Sequence, residues 1–178
     1  MAESPSAEAA ETVLQTLREW SAQAGLTLHP EKTKIVDMGQ PKAHFDFLGY
    51  RFWRGKTSGS IRRFIRPKSK KKIREAIKPF TKRANGRSLE AIAAVLHPKL
   101  QGFFNYFKHV NAGAFNDVDQ WIRGRLRSIL RKRAGGRGRG RGRDHQRWGN
   151  DYFTKLGLFD LEGARKFEIN SLRLAVNY

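Results

Sequence analysis

Three groups of residues in this sequence are equipped for chemistry, and all three are cations. Ile61-Arg62-Arg63-Phe64-Ile65-Arg66, followed by Lys68, Lys70, Lys71 and Lys72, interleaves positive charge with an aromatic ring and branched apolar side chains. Such a surface can neutralise phosphate while offering a base something to stack on, which suits the grooves and loops of RNA. An ordinary solvated basic face is the plainer alternative. Arg123, Arg127 and Arg131 recur every fourth residue, so on a helix they form one exposed stripe whose guanidinium forks can grip successive phosphates. Asp119 competes for Arg123 alone. The third group is Arg137, Arg139, Arg141 and Arg143 within GGRGRGRGR at 135–143. That low-complexity tract has nothing to bury and is expected to stay flexible, meeting any phosphate backbone.

Other chemistry is poorly served. There is no cysteine, which removes disulfides, thiol catalysis and Cys-based zinc sites. His29, His44, His97, His109 and His145 form no i,i+4 pair, and Asp117 and Asp119 point to different faces of a helix. No metal site, cofactor or catalytic residue is expected. Phe103, Phe104, Tyr106, Phe107 and Trp121 could be a stacking platform, but their spacing follows apolar helix faces and core packing is the better reading. Tyr106 sits off that face and is the one candidate for an RNA contact.

The charge balance agrees. Thirty-six Lys and Arg against 16 Asp and Glu give a net charge of +20 and an isoelectric point near 11.0, which points to a polyanionic partner. Residues 1–50 carry a net −3 and residues 51–178 a net +23, so polyanion contact should begin near Arg51. No apolar run approaches the roughly 18 residues of a membrane span, and no secretory signal pattern opens the chain. A reducing, cytoplasmic setting fits a chain without cysteine.

The elements that must position these residues read as α+β. After a polar MAESPSA expected to lack structure, Val13, Leu14, Leu17, Trp20 and Ala24 mark an amphipathic helix ending at Gly25. Leu26 to Leu28 and Thr33 to Met38 read as short extended segments. Phe45, Phe47, Tyr50 and Phe52, then Ser60 to Arg66 beyond a Gly55–Gly59 turn, predict a hairpin. Three helices follow: Ser69 to Ala84, kinked at Pro79; a helix capped by Ser88, interrupted before Pro98 and resumed through Phe107; and Asn116 to Arg133. Trp148, Tyr152, Phe153, Leu156, Leu158, Phe159 and Leu161 predict a tail that docks back. The expected domains are therefore 1–66, a helix with antiparallel strands; 67–134, a three-helix bundle; 135–146, a linker; and 147–178, the tail.

GLTLHPEKTKI at 25–35, FDFLGYRF at 45–52 and LHPKLQGFFNYFKHVNAGAFNDVDQWIRGRLRSILRKR at 96–133 resemble, in order and spacing, the C-terminal part of group II intron-encoded reverse transcriptase/maturases. RWGNDYFTKLGLFDL at 147–161 is similar to the short tail of bacterial members. The resemblance implies a palm remnant, a thumb and the maturase-specific region, with structured RNA as partner: a group II intron whose folding and splicing the protein assists. It further implies that Phe47, Leu48, Gly49 and Tyr50 form a primer-grip-like hairpin, against a purely structural hairpin. It makes Lys32 a phosphate contact, against a solvated turn lysine.

The family's Tyr-x-Asp-Asp turn, which holds metal ions for polymerisation, is absent from this sequence. The resemblance thus implies an RNA-binding fragment or relic without catalysis. Its rivals are the C-terminal half of a split RNA-directed DNA polymerase completed by a separately encoded finger–palm fragment, an inactive intron remnant, and a generic nucleoid or ribosome-associated protein. Given template–primer, nucleotides and magnesium, the purified chain is expected to extend no primer; heat-labile, template-dependent extension would overturn this.

Overall fold

The computed structural model describes residues 6–55 and 59–176. The expectations for the first five residues and for the turn at 56–58 lie outside that range. Helix α1 (Ala7–Gln23) starts where the Ser6 hydroxyl accepts from the Ala9 amide at 3.2 Å. It gives way to Gly25, whose φ of +68° suits a residue without a Cβ. Val13, Leu17 and Trp20 are exposed, Trp20 by 61%.

Strands β1 (His44–Phe47), β2 (Tyr50–Arg54) and β3 (Ile61–Ile65) form an antiparallel sheet in the order β1-β2-β3. The β1–β2 turn has two residues, Leu48 and Gly49, with φ of +45° and +81°. Both signs are what a tight hairpin requires, and the leucine holds its conformation against steric cost. Three bonds fix the turn: the Tyr106 hydroxyl donates to the Leu48 carbonyl at 3.0 Å, while the Arg66 amide and Ser69 hydroxyl donate to the Gly49 carbonyl at 2.9 and 3.1 Å. The short segments 26–28 and 33–38, expected to be extended, join no strand of the sheet. Exposed Leu26 and Ile35 show why: no apolar face covers them.

Two compact units result, one of Met1–Phe45 with Trp53–Ile61 and the other of Asp46–Phe52 with Arg62–Tyr178. The second contains α2 (Pro67–Ile77), a 3-10 turn (Lys78–Thr81), α3 (Leu89–Phe107), α4 (Asn116–Arg133), α5 (Arg143–Arg147), α6 (Asn150–Lys155) and α7 (Leu161–Val176). Pro67 opens α2, where a missing amide costs nothing, and the helix tightens into the 3-10 turn around Pro79 rather than running on to residue 84.

Ser88 caps α3 by accepting from Ala91 at 3.1 Å. The expected interruption before Pro98 does not occur, and α3 is continuous. Pro98 and Ala94, the residue whose carbonyl it leaves unpaired, both face solvent, so water can satisfy that group.

The core unites Ile73 and Ile77, Ile92, Leu96, Leu100 and Phe104, Val118, Ile122 and Ile129, with Trp148, Phe153, Leu158 and Leu161 from the returning tail. The docking expected of residues 147–161 is therefore observed. Phe115 is fully buried between Phe103 and Phe104, ring centroids 6.1 and 5.7 Å away. Asn111 ties β3 to this body, its side chain accepting from the Arg63 amide at 2.7 Å and its own amide donating to the Arg63 carbonyl at 2.9 Å. Phe115→Ala is expected to lower unfolding free energy by about 3 to 5 kcal/mol in denaturant titration, since it removes a fully buried ring from the core; a loss below about 1 kcal/mol would contradict this packing.

Candidate nucleic-acid interface

The arginine stripe on α4 is not a solvated face. Arg123 and Arg127 are buried and Arg131 half-buried, because the chain after residue 143 packs over them. Arg127 donates from Nε to the Trp148 carbonyl and from its fork to Asn150 Oδ1, both at 2.9 Å, and its guanidinium stands 5.2 Å from the Phe153 ring centroid. Burial, then the Arg123 charge, pulls its pKa down. Arg131 pairs with Asp144 at 2.6 Å and donates to the Arg137 carbonyl at 2.7 Å. Arg123 lies between Asp119 at 3.8 Å and Asp160 at 3.6 Å. The stripe grips the protein's own tail, and only a partner segment distant in sequence could have revealed it.

Beside it lies a pair of carboxylates: Asp119, which the sequence reading set only against Arg123, and Glu162, which it did not single out. Asp119 Oδ2 accepts from the Glu162 amide at 2.9 Å and Oδ1 from the Leu161 amide at 3.4 Å, capping α7. Glu162 returns the arrangement, accepting from the Gly113 amide at 2.7 Å and the Phe115 amide at 3.3 Å just before α4. The available signal was an acidic residue in the first turn of each helix. Asp119 is pushed up to about 7, chiefly by burial and further by the neighbouring Asp160 carboxyl, against the lowering pull of the Glu162 amide and Arg123.

Asp117 diverges from Asp119, as its spacing predicts, and takes Lys70 at 2.8 Å and Arg74 at 2.9 Å. Lys70 is thus engaged, and so is half-buried Arg66, 3.1 Å from Asp46. Arg62, Arg63, Lys68, Lys71 and Lys72 remain exposed, Lys71 standing 3.9 Å from Glu75. Trp121, expected in the apolar stripe, is only partly buried, with Arg125 and Arg74 guanidinium groups 5.1 and 5.9 Å from its ring. Arg125, absent from the sequence candidates, also donates to the Thr81 hydroxyl at 2.6 Å.

Phe103, Phe104 and Phe107 pack in or against the core and Tyr106 is exposed, as their spacing predicts. At the hairpin tip Phe47 and Leu48 are exposed, whereas Gly49 and Tyr50 pack inward. Burial, then Tyr106, raises the Tyr50 pKa, and its hydroxyl donates to the Tyr106 carbonyl. Lys32 is exposed in the first unit.

The Arg-Gly tract lies against α4 instead of hanging free. A Cβ on Gly136 would stand 2.7 Å from Arg131 Cγ, and one on Gly140 2.8 Å from Arg127 Cβ, so only glycine permits this approach. Arg137, Arg139, Arg141 and Arg143 point outward and are exposed. Arg83 reaches across to the Gly136 carbonyl at 2.9 Å, and Arg133 donates to the carbonyls of Asn85 and Arg87. One end of the bundle therefore gathers cations from the 82–88 loop, the end of α4 and the tract.

Among the described residues no group of three or more His, Asp or Glu is placed to hold a metal, and no helix is long and apolar enough to cross a membrane. Fold and surface define, in the second unit, a helical body with internal ion pairs and an external basic rim. Residues 70–148 match the family model described as group II intron, maturase-specific domain. No curated protein matches the chain. The matched segment runs from within α2 through α5, and so takes in the buried arginines, the tract and Trp148. A maturase-specific domain is non-catalytic and points to group II intron splicing and RNA binding.

Folded Asp119 keeps its proton up to about pH 7, whereas in the unfolded chain it ionises near the ordinary 3.8. Its contribution to stability is present below about pH 4, declines as pH rises toward 7 and is constant beyond. Arg123, Asp160 and the Leu161 and Glu162 amides surround it. Thermal unfolding followed from pH 4.5 to 8 should show this decline in the native protein and a flatter profile in Asp119→Asn; equal slopes would assign it to other groups.

Proposed function

We propose that this protein binds structured group II intron RNA in the cytoplasm and assists its folding and splicing, while the RNA performs the chemistry. The observation that carries this is the coincidence of a maturase-specific domain at 70–148 with exposed cations along Arg62–Lys72 and the Arg-Gly tract. Phosphate neutralisation supplies most of the affinity, and recognition is of shape, since A-form RNA hides its base edges in a deep groove. Arg62, Arg63, Lys68, Lys71, Lys72 and the tract arginines make the phosphate contacts. Arg66 and Lys70 join by exchanging their carboxylate partners, and Tyr106 stacks. Arg123, Arg127 and Arg131 serve by holding the tail that shapes this surface.

A second reading is favoured by α1, whose Val13, Leu17 and Trp20 lie exposed: the chain completes a reverse transcriptase with a separately encoded finger–palm fragment. Phe47–Tyr50 would then grip primer and Lys32 would face a phosphate. Primer extension that appears only on mixing the two fragments would establish it.

With about five phosphates neutralised, log affinity for intron RNA should fall with log salt at a slope of about −3.5 to −4.5. Replacing Arg62, Arg63, Lys68 and Lys72 by Gln should leave the melting temperature nearly unchanged and make that slope shallower by close to one unit per lost contact. Arg127→Gln should instead lower the melting temperature, because it strands the Trp148 carbonyl and Asn150. An unchanged slope in the fourfold variant would remove this face from the interface.

A further inference from the structure

We propose that the cleft between the 3-10 turn and the start of α3 holds one unpaired nucleotide of the bound RNA, its base against Pro79 and Phe80 and its phosphate on Lys82 and Arg87. The inference rests on the RNA-binding reading above and adds the feature that is captured, an unstacked base rather than a paired helix. The cleft encloses about 360 Å³, near the lower end of the roughly 300 to 1,000 Å³ of small-ligand sites. A base with its sugar fits that volume and a base pair with two backbones does not.

Its lining contains no acidic residue. Lys82 and Arg87 are exposed at its rim, and the Lys99 ammonium stands 5.2 Å from the centroid of the Phe80 ring. An apolar wall of one aromatic ring and one proline beside two free-standing cations is the composition that binds single-stranded nucleic acid by stacking and charge.

The loop is preformed. Asn85 Nδ2 donates to the Phe80 carbonyl at 2.6 Å and its Oδ1 accepts from the Arg87 amide at 2.9 Å. Arg133, from the end of α4, donates to the Asn85 and Arg87 carbonyls. A guest therefore orders little on entry. Because both ends of the Asn85 amide are committed, the cleft lacks its obvious reader of base edges, and it accepts any base that is unpaired.

The test uses the full chain, a single-stranded RNA octamer carrying 5-iodouridine, and the same strand annealed into a blunt duplex. Photocrosslinking should label the peptide containing Phe80 from the single strand and at least fivefold less from the duplex. Lys82→Gln with Arg87→Gln should make the single-strand salt slope shallower by about 1.4 at an unchanged melting temperature. Phe80→Leu should weaken the octamer by about tenfold, within the range for one lost stacking partner, and spare the duplex.

Crosslinks confined to other peptides, or equal effects of the variants on single strand and duplex, would overturn the pocket while leaving the general RNA-binding reading intact. Competition by an acidic octapeptide as effective as unlabelled octamer would replace the nucleotide by a protein ligand. Absence of binding to any RNA, structured or not, would overturn the general reading and the pocket together.

Discussion

Charge buried on α4 is the constraint on which the second unit depends. Arg123, Arg127 and the Asp119 carboxyl are no more than 8% exposed, and a charged or polar group taken out of water costs free energy unless partners surround it. Those partners are the Trp148 carbonyl, Asn150, Asp160 and the first amides of α7, all more than twenty residues downstream of the α4 residues they meet. The tail must therefore return to α4 for the helix to exist as it does. Trp148, Phe153, Leu158 and Leu161 bring the apolar area that drives the return.

The same constraint joins two helix ends. Phe115 stands at the N-terminus of α4 and has no side-chain group to cap it, and the Gly113 and Phe115 amides, in the turn that leads into α4, are met by Glu162 from α7. Asp119 meets those of α7 in return. Asp119 thus caps α7, and Glu162 holds the turn that leads into α4. Neither contact works unless the two helices meet, which makes docking of the tail an all-or-none property of the pair.

With its interior cations committed, the protein distributes the others outward. Arginine serves inside, where a planar fork can hold two acceptors at fixed geometry, as Arg127 does. Lysine dominates the exposed start of α2, where a compact, well-hydrated charge suffices. The Arg-Gly tract follows the same division residue by residue, with Gly136 and Gly140 inward on α4 and arginines outward. Its cations are held at one end of the bundle beside the 82–88 loop, which gives a basic surface a defined shape.

The α+β class, the helix Asn116 to Arg133, the Ser88 cap, the hairpin region and the returning tail were legible in the sequence, because periodicity, capping chemistry and turn residues act over a few neighbours. The ordered motifs at 25–35, 45–52 and 96–133 likewise pointed to the maturase group that the match at 70–148 bears out. What one-dimensional pattern did not carry was the second partner of each face. A helix wheel shows that Arg123, Arg127 and Arg131 oppose Val118, Ile122 and Leu126, and it takes the opposite side for solvent. The tail's arrival on that side converts the stripe from a surface into a dock. Pro98 stayed inside a helix for the same kind of reason, since Ala94, whose carbonyl proline leaves unpaired, is open to solvent. Local propensity is written along the chain. Which charges are desolvated is decided only when distant segments meet, because the dielectric around a group belongs to its neighbours in space.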